Sequence, residues 1–138
     1  MRLEHINIVV SEIANSLAFY QAAFPSWRVR GEGVTDWFGV KRKWVHFGDD
    51  HNYITLNDSG TGTNRNLATN ALGIAHFAFE TNNLKRLIAR LQDAGFTPSH
   101  AGAPNEHREN IYFIDPDGLE VEFVQYLSDV PSERNIYL

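Results

Sequence analysis

The side chains of this chain that could do chemistry are histidines set inside apolar stretches. His76 sits in GIAHFAFE, His5 in LEHINIVV and His46 in KWVHFG, while LEVEFVQY carries Glu122. A lone histidine in a strand is most often a satisfied polar residue of the core. Two imidazoles and a carboxylate brought to one place are different. They form a ligand set for a divalent transition metal with open positions, the two-histidine, one-carboxylate facial arrangement. Imidazole nitrogens suit Fe, Mn, Ni, Co or Zn, and the open positions accept substrate oxygens. Which reading holds depends on the elements that carry these residues.

Those elements occur twice. LEHINIVVSEIANSLAFYQAAFPSWRV aligns without a gap to IAHFAFETNNLKRLIARLQDAGFTPS. His5 falls on His76, Ile6 and Ile8 on Phe77 and Phe79, and Ile13, Leu17 and Tyr20 on Leu84, Ile88 and Leu91. Alternation with period two gives way to apolar spacing of three or four, so each strand leads into an amphipathic helix. Ser11 and Asn82 or Asn83 are suited to cap the helix starts. The first helix must stop before Pro25, and Gly95 closes the second. The rest of each half is strand-like: WRVRG, KWVHFG and NYITLND parted by GEG and GDDHN turns, then a poor FTPSH strand, NIYFI and LEVEFVQY around DPDG. The expected fold is α+β, two tandem βαβββ modules in a single domain: module one over 1–57, a polar linker over 58–71, module two over 72–126 and a tail over 127–138. Neither module covers its own apolar face, so the two should pack together or pair across a dimer.

Alternation also sorts the side chains of each strand. Ile6, Ile8, Phe47, Ile54, Phe113 and Phe123 are expected on the helix side. The opposite side collects His5, Asn7, His46, Tyr53, Thr55, His76, Tyr112 and Glu122. A face rich in histidine and aromatic residues, with almost no lysine, suits a concave and partly dry cavity.

Bulk properties exclude several classes. The chain has 138 residues, a net charge of −5 and no cysteine, so disulfides, thiolate metal sites and thiol catalysis are out. Scattered Lys and Arg form no basic stripe, which argues against nucleic acid as partner. No apolar run approaches the roughly 20 residues of a membrane span. The N-terminus enters a strand pattern directly, without signal-peptide features. We expect a cytoplasmic protein with a small-molecule substrate.

Three stretches, EHINIVV followed by SLAFY, GIAHFAFE, and IYFIDPDGLEVEF, resemble the vicinal oxygen chelate superfamily, also called the glyoxalase, bleomycin-resistance and extradiol dioxygenase superfamily. The resemblance covers about residues 3 to 126. Its most specific part is the DPDG turn, followed four residues after the glycine by the family's metal-binding glutamate, here Glu122. The family's metal histidines open the first strand of each module, which implies His5 and His76. The resemblance implies a curled, cup-shaped mixed sheet with helices on the outer face, around a divalent ion (Fe, Mn, Ni, Co or Zn) held by His5, His76 and Glu122. Glu120, close to the turn, is expected to be solvated.

Glyoxalase I and methylmalonyl-CoA epimerase use a fourth ligand from the last strand of module one, often glutamate. Here that place falls on Thr55, a poor ligand and no base, so a two-carboxylate proton shuttle lacks one member. Fosfomycin-resistance thiol transferases share the order His, His, Glu with a tyrosine where Tyr112 stands, but their lysine- and serine-rich anion site is absent. Extradiol dioxygenases match at Ile111, Tyr112, Asp115, Pro116, Gly118 and Glu122, yet His107 is too close to Tyr112 to serve as their upstream histidine.

The resemblance implies a metalloenzyme using its ion as a Lewis acid on a small substrate with adjacent oxygens, in glyoxalase-like lyase or isomerase chemistry. The alternatives are an Fe(II) extradiol-type dioxygenase and a metal-free, bleomycin-resistance-like drug-binding protein. Tyr112 would donate to a developing oxyanion, His46 is the candidate base, and Asn7, Trp44, Tyr53 and Thr55 the candidate substrate pocket, with Trp37 as a further wall. A homodimer is expected, its site shared between chains or not. The tail LSDVPSERNIYL is expected to lie against a partner subunit.

Overall fold

A computed structural model describes residues 1–137. It divides into two units, Met1–Thr63 and a second beginning at Asn64. Each folds as a βαβββ module. Unit one runs β1 (His5–Val9), α1 (Ile13–Ala23), β2 (Arg28–Trp37), β3 (Val40–Gly48) and β4 (Tyr53–Asn57). Unit two runs β5 (Phe77–Glu80), α2 (Leu84–Asp93), β6 (His100–Ala101), β7 (Arg108–Ile114) and β8 (Glu120–Tyr126), then a short α3 (Pro131–Arg134).

The two four-stranded sheets have the same topology, β1-β4-β3-β2 and β5-β8-β7-β6. In each the first strand pairs in parallel with the last, and the other pairings are antiparallel. A strand, a helical crossover and a return beside the first strand is the arrangement that lets a helix cover one sheet face. The α+β class and the tandem modules are therefore observed, and the repeat extends to cross-strand register. Asn7 pairs with Thr55 as Ala78 pairs with Glu122, and His46 pairs with Thr55 as Tyr112 pairs with Glu122.

The helix-side residues form the cores. Val10, Phe47, Ile54 and Leu56 are buried in unit one, and Phe113, Val121 and Phe123 in unit two. From α2, Leu84, Leu87 and Leu91 are buried at the three- and four-residue spacing of one helix face, and burial of each such side chain contributes about 1.5–3 kcal/mol.

Local details differ from expectation at three places. Glu12, not Ser11, caps α1, its carboxylate accepting from the Ala14 amide, whereas Asn83 caps α2 as expected. The GEG stretch is not a turn. It lies inside β2, because Trp44 of β3 rests on Gly31 and Gly33, where an added Cβ on Gly33 would come 2.8 Å from the indole. The chain instead reverses at Phe38 and Gly39, both with positive φ. The first strand of unit two covers only Phe77–Glu80. Gly73, at φ +141°, bends the chain ahead of it, so His76 stands just outside the regular pairing.

The tail folds back on its own unit. The Arg134 guanidinium donates to Glu80 at 2.8 Å and lies 3.8 Å over the Tyr126 ring, while Arg108 stacks on Tyr137 at 4.7 Å. Among the described residues, no helix is long and apolar enough to cross a membrane.

Candidate metal and substrate site

In unit two, the DPDG turn positions the acidic side chains. Asp115, 3 % exposed, accepts from the amides of Asp117 at 3.0 Å and Leu119 at 2.9 Å, and Gly118 takes φ +85°. This turn sets β8 against β7 with Glu120 opposite Ile114 and Glu122 opposite Tyr112. Alternation then puts both glutamates on the face away from α2.

His76 meets them there. Its Nε2 lies 3.2 Å from Glu122 Oε2 and its Nδ1 3.8 Å from Glu120 Oε2. The imidazole also lies edge-on to the Tyr112 ring, 5.4 Å between centroids. Glu120 is not the solvated residue that its place near the turn suggests: its side chain is 16 % exposed, and its other oxygen lies 3.8 Å from His100 Nδ1. His100 in turn stacks on Tyr112 at 4.3 Å and 8°.

The remaining oxygen of Glu122 is also occupied. The Asn110 amide donates to Glu122 Oε1 at 2.7 Å and to the Tyr112 hydroxyl at 3.2 Å. Gly102 makes this possible, because a Cβ there would fall 1.8 Å from Asn110 Oδ1. Burial, reinforced by the Glu122 charge, raises the Tyr112 phenol above its usual range, so it remains a hydrogen-bond donor.

In unit one the equivalent face carries rings. His5 stacks on Tyr53 at 4.7 Å and 15°, His46 lies 4.8 Å from Tyr53, and Trp44 lies 4.7 Å from His46. His5 Nδ1 pairs with Glu4 at 2.8 Å. Asn7 Oδ1 accepts from Asn57 at 2.6 Å, and Thr55 is only 5 % exposed. Burial, with the neighbouring His5 and Arg30, lowers His46 below the ordinary imidazole range despite an opposing contribution from Glu4. It is thus neutral at physiological pH. His51, in the turn before β4, is exposed. A hollow of about 660 Å³ lies between α1 and the β2–β3 hairpin, lined by Glu12, Leu17, Glu32, Lys43 and Val45 and reaching Trp44.

The His76–Glu122 pair is suited to a cation. Two donors of one ion at 2.0–2.2 Å lie about 3 Å apart, close to the observed 3.2 Å. Among the described residues, no three His, Asp or Glu side chains are gathered closely enough to hold an ion. Sequence reasoning missed Asn110, His100 and the place of Glu120. The alternation of β7 and β8 carried a signal for Asn110 and Glu120; the two-residue β6 carried none for His100.

Comparison with known proteins adds the family. A family model described as Glyoxalase/Bleomycin resistance protein/Dioxygenase superfamily matches residues 2–123. Among solved structures, a glyoxalase family protein from Bacillus cereus is 16 % identical, covering 93 % of this chain and 95 % of its own, with a TM-score of 0.75. The fosfomycin resistance protein FosX from Listeria monocytogenes is 19 % identical over 96 % of this chain and 97 % of its own, with a TM-score of 0.71. A FosX mutant from the same organism, complexed with Mn(II) and 1S,2S-dihydroxypropylphosphonic acid, is 19 % identical over 96 % of each chain, with a TM-score of 0.71. At these identities the likeness is one of fold.

Proposed function

Because the chain belongs to the Glyoxalase/Bleomycin resistance protein/Dioxygenase superfamily, we propose that it is a metal-dependent enzyme acting on a small substrate with two adjacent oxygens, in a lyase or isomerase reaction. His5, His76 and Glu122 are the proposed ligands of a divalent ion. The observation that carries this reading is the 3.2 Å approach of His76 Nε2 to Glu122 Oε2, with the other carboxylate oxygen held by Asn110. When bound, such an ion supplies Lewis-acid polarisation of a substrate oxygen.

The protein's own groups would do the rest. Glu122 keeps one oxygen on Asn110 and presents the other. Tyr112, held neutral by its surroundings, donates a hydrogen bond where negative charge develops on the substrate. His46, neutral at physiological pH, accepts a proton from carbon or hydroxyl. Thr55 stands at the register position in unit one that Glu122 holds in unit two and cannot ionise, so a proton shuttle would run through one imidazole instead of two carboxylates. Asn7, Trp44, Tyr53 and Thr55 would line the substrate pocket. The same reading takes the protein as a cytoplasmic homodimer, its site completed within a chain or across the pair.

The test is metal content. After EDTA treatment and reconstitution with Mn(II), the ion present with the FosX mutant, the wild-type chain should hold one ion. His76→Ala and Glu122→Ala should hold none and lose turnover. Absence of stoichiometric metal with Mn, Fe, Co, Ni and Zn would overturn the reading. A drug-sequestering protein would instead keep its ligand after His76→Ala.

A further inference from the structure

The two sheets have the same register but opposite chemistry on their helix-free faces. Where sheet two has Glu120 and Glu122, sheet one has Tyr53 and Thr55, and no strand residue on that face is acidic. The acids of β2 point the other way. Glu32 pairs with Val45, a core residue, and Asp36 stands on the same side of the hairpin, opposite Lys41. Glu4, just before β1, is engaged by His5. In a chain of net charge −5, a face whose strands carry no acid, and whose one neighbouring carboxylate, Glu4, is taken up by His5, is a local choice.

Besides Arg28, which pairs with Asp50, and Arg42, which lies over the Trp37 ring, that face carries the guanidinium of Arg30. Val29 pairs with Phe47 and Gly31 with His46, so Arg30 is the extra residue of a β-bulge. Bulges re-aim side chains and are enriched beside active sites. Here the Arg30 side chain crosses β3 and lies 4.6 Å over the Tyr53 ring on β4. Among the described residues it faces no carboxylate, unlike Arg28 and Arg134, which pair with Asp50 and Glu80. Stacking of His5 on Tyr53 covers ring faces and leaves ring edges, the positive rim of an aromatic quadrupole. Gly31 and Gly33 seat Trp44 beside it as an apolar wall.

We propose that the helix-free face of sheet one binds an oxyanion, a carboxylate or phosphonate borne on a small apolar or planar group, with Arg30 as its principal contact. A guanidinium that rests on an aromatic face and meets no carboxylate keeps paired N–H donors at its edge, in the geometry of such an anion. That this anion belongs to the substrate rests on the metalloenzyme reading above; the anion site itself does not.

The experiment therefore uses the full chain freed of metal, with benzoate and phenylphosphonate as probes, neutral benzamide as control, and calorimetry or the Arg Nε–Hε resonances as readout. Wild type should bind an anion saturably and prefer it to benzamide. Arg30→Ala should weaken anion binding by about tenfold or more, the usual size of a charge-assisted hydrogen bond, and leave benzamide unchanged. Arg30→Lys should fall between, keeping charge but losing the planar fork. Arg42→Ala should bind like wild type. The proposal is overturned if wild type binds neither anion, if benzamide binds as tightly, if Arg30→Ala stays within twofold of wild type, or if Arg42→Ala loses as much. Failure here with Mn(II) binding intact would remove the anion site alone. Loss of Mn(II) binding with the anion site intact would remove the metal reading alone.

Discussion

The Asn110 side-chain amide donates to Glu122 Oε1 at 2.7 Å and leaves Oε2 directed at His76, 3.2 Å away. One oxygen of the carboxylate is thus held in place and the other is presented, the pattern by which outer groups orient metal ligands. Asn110→Ala should leave the fold intact, as judged by circular dichroism, and weaken Mn(II) affinity roughly 10- to 100-fold, measured by the free-ion EPR signal. Unchanged affinity would show that Glu122 needs no such support. Burial and Glu122 raise the Tyr112 pKa and the Asn110 bond partly opposes that rise, so the variant should also ionise Tyr112 at higher pH in an ultraviolet titration.

Gly33 is an alanine-intolerant strand position. Its added Cβ would meet Trp44 at 2.8 Å, and the indole donates to Thr35 at 3.0 Å, so the ring cannot simply shift. Gly33→Ala should cost about 1–3 kcal/mol of stability, as overpacking does, and alter tryptophan fluorescence. A melting temperature equal to wild type would count against the seating of Trp44.

Phe38 presents the opposite case. It takes φ +51° in a two-residue turn while fully exposed, a backbone region that disfavours bulky side chains by about 1–2 kcal/mol. Phe38→Asn, the residue preferred at such turns, should raise stability by roughly 1 kcal/mol in thermal or denaturant unfolding. A loss would mean that the phenyl ring is held by something the single chain does not show.

Asp49 should make stability depend on acid. It accepts from the amides of Asn52 and His51, and these bonds lower its pKa below 3.8. A depressed carboxylate contributes stability above its unfolded pKa and loses it as pH falls through the folded value. Asp49→Asn should therefore be less stable than wild type at pH 7, with the gap closing as the pH falls below the ordinary carboxylate range. A pH-independent gap would assign the effect to packing.

The features that proved legible were local or periodic. Alternation along LEHINIVV, NYITLND and LEVEFVQY assigned Ile8, Ile54 and Phe123 to the core, where they are found. It placed His5 and Glu122 on the opposite face because side-chain direction in a strand depends only on parity. The repeat anticipated two modules, and the equivalence extends to the register that sets Thr55 against Asn7 as Glu122 stands against Ala78.

Other features depend on which distant segments pair, and in what register. Glu120 looked like a turn residue until the β7–β8 hairpin and the approach of His76 and His100 enclosed it. Asn110 has no chemical signature of its own; Gly102 on a neighbouring segment gives its amide room beside Glu122. The bulge that frees Arg30, and the strand that replaces the GEG turn, arise from fitting β2 against His46 and Trp44 of β3. The sequence by itself determined the modules, the faces and the residue types on them, since these follow from spacing along one segment. Only the tertiary structure decided which side chains touch, because cross-strand register and close packing over glycine are properties of paired segments.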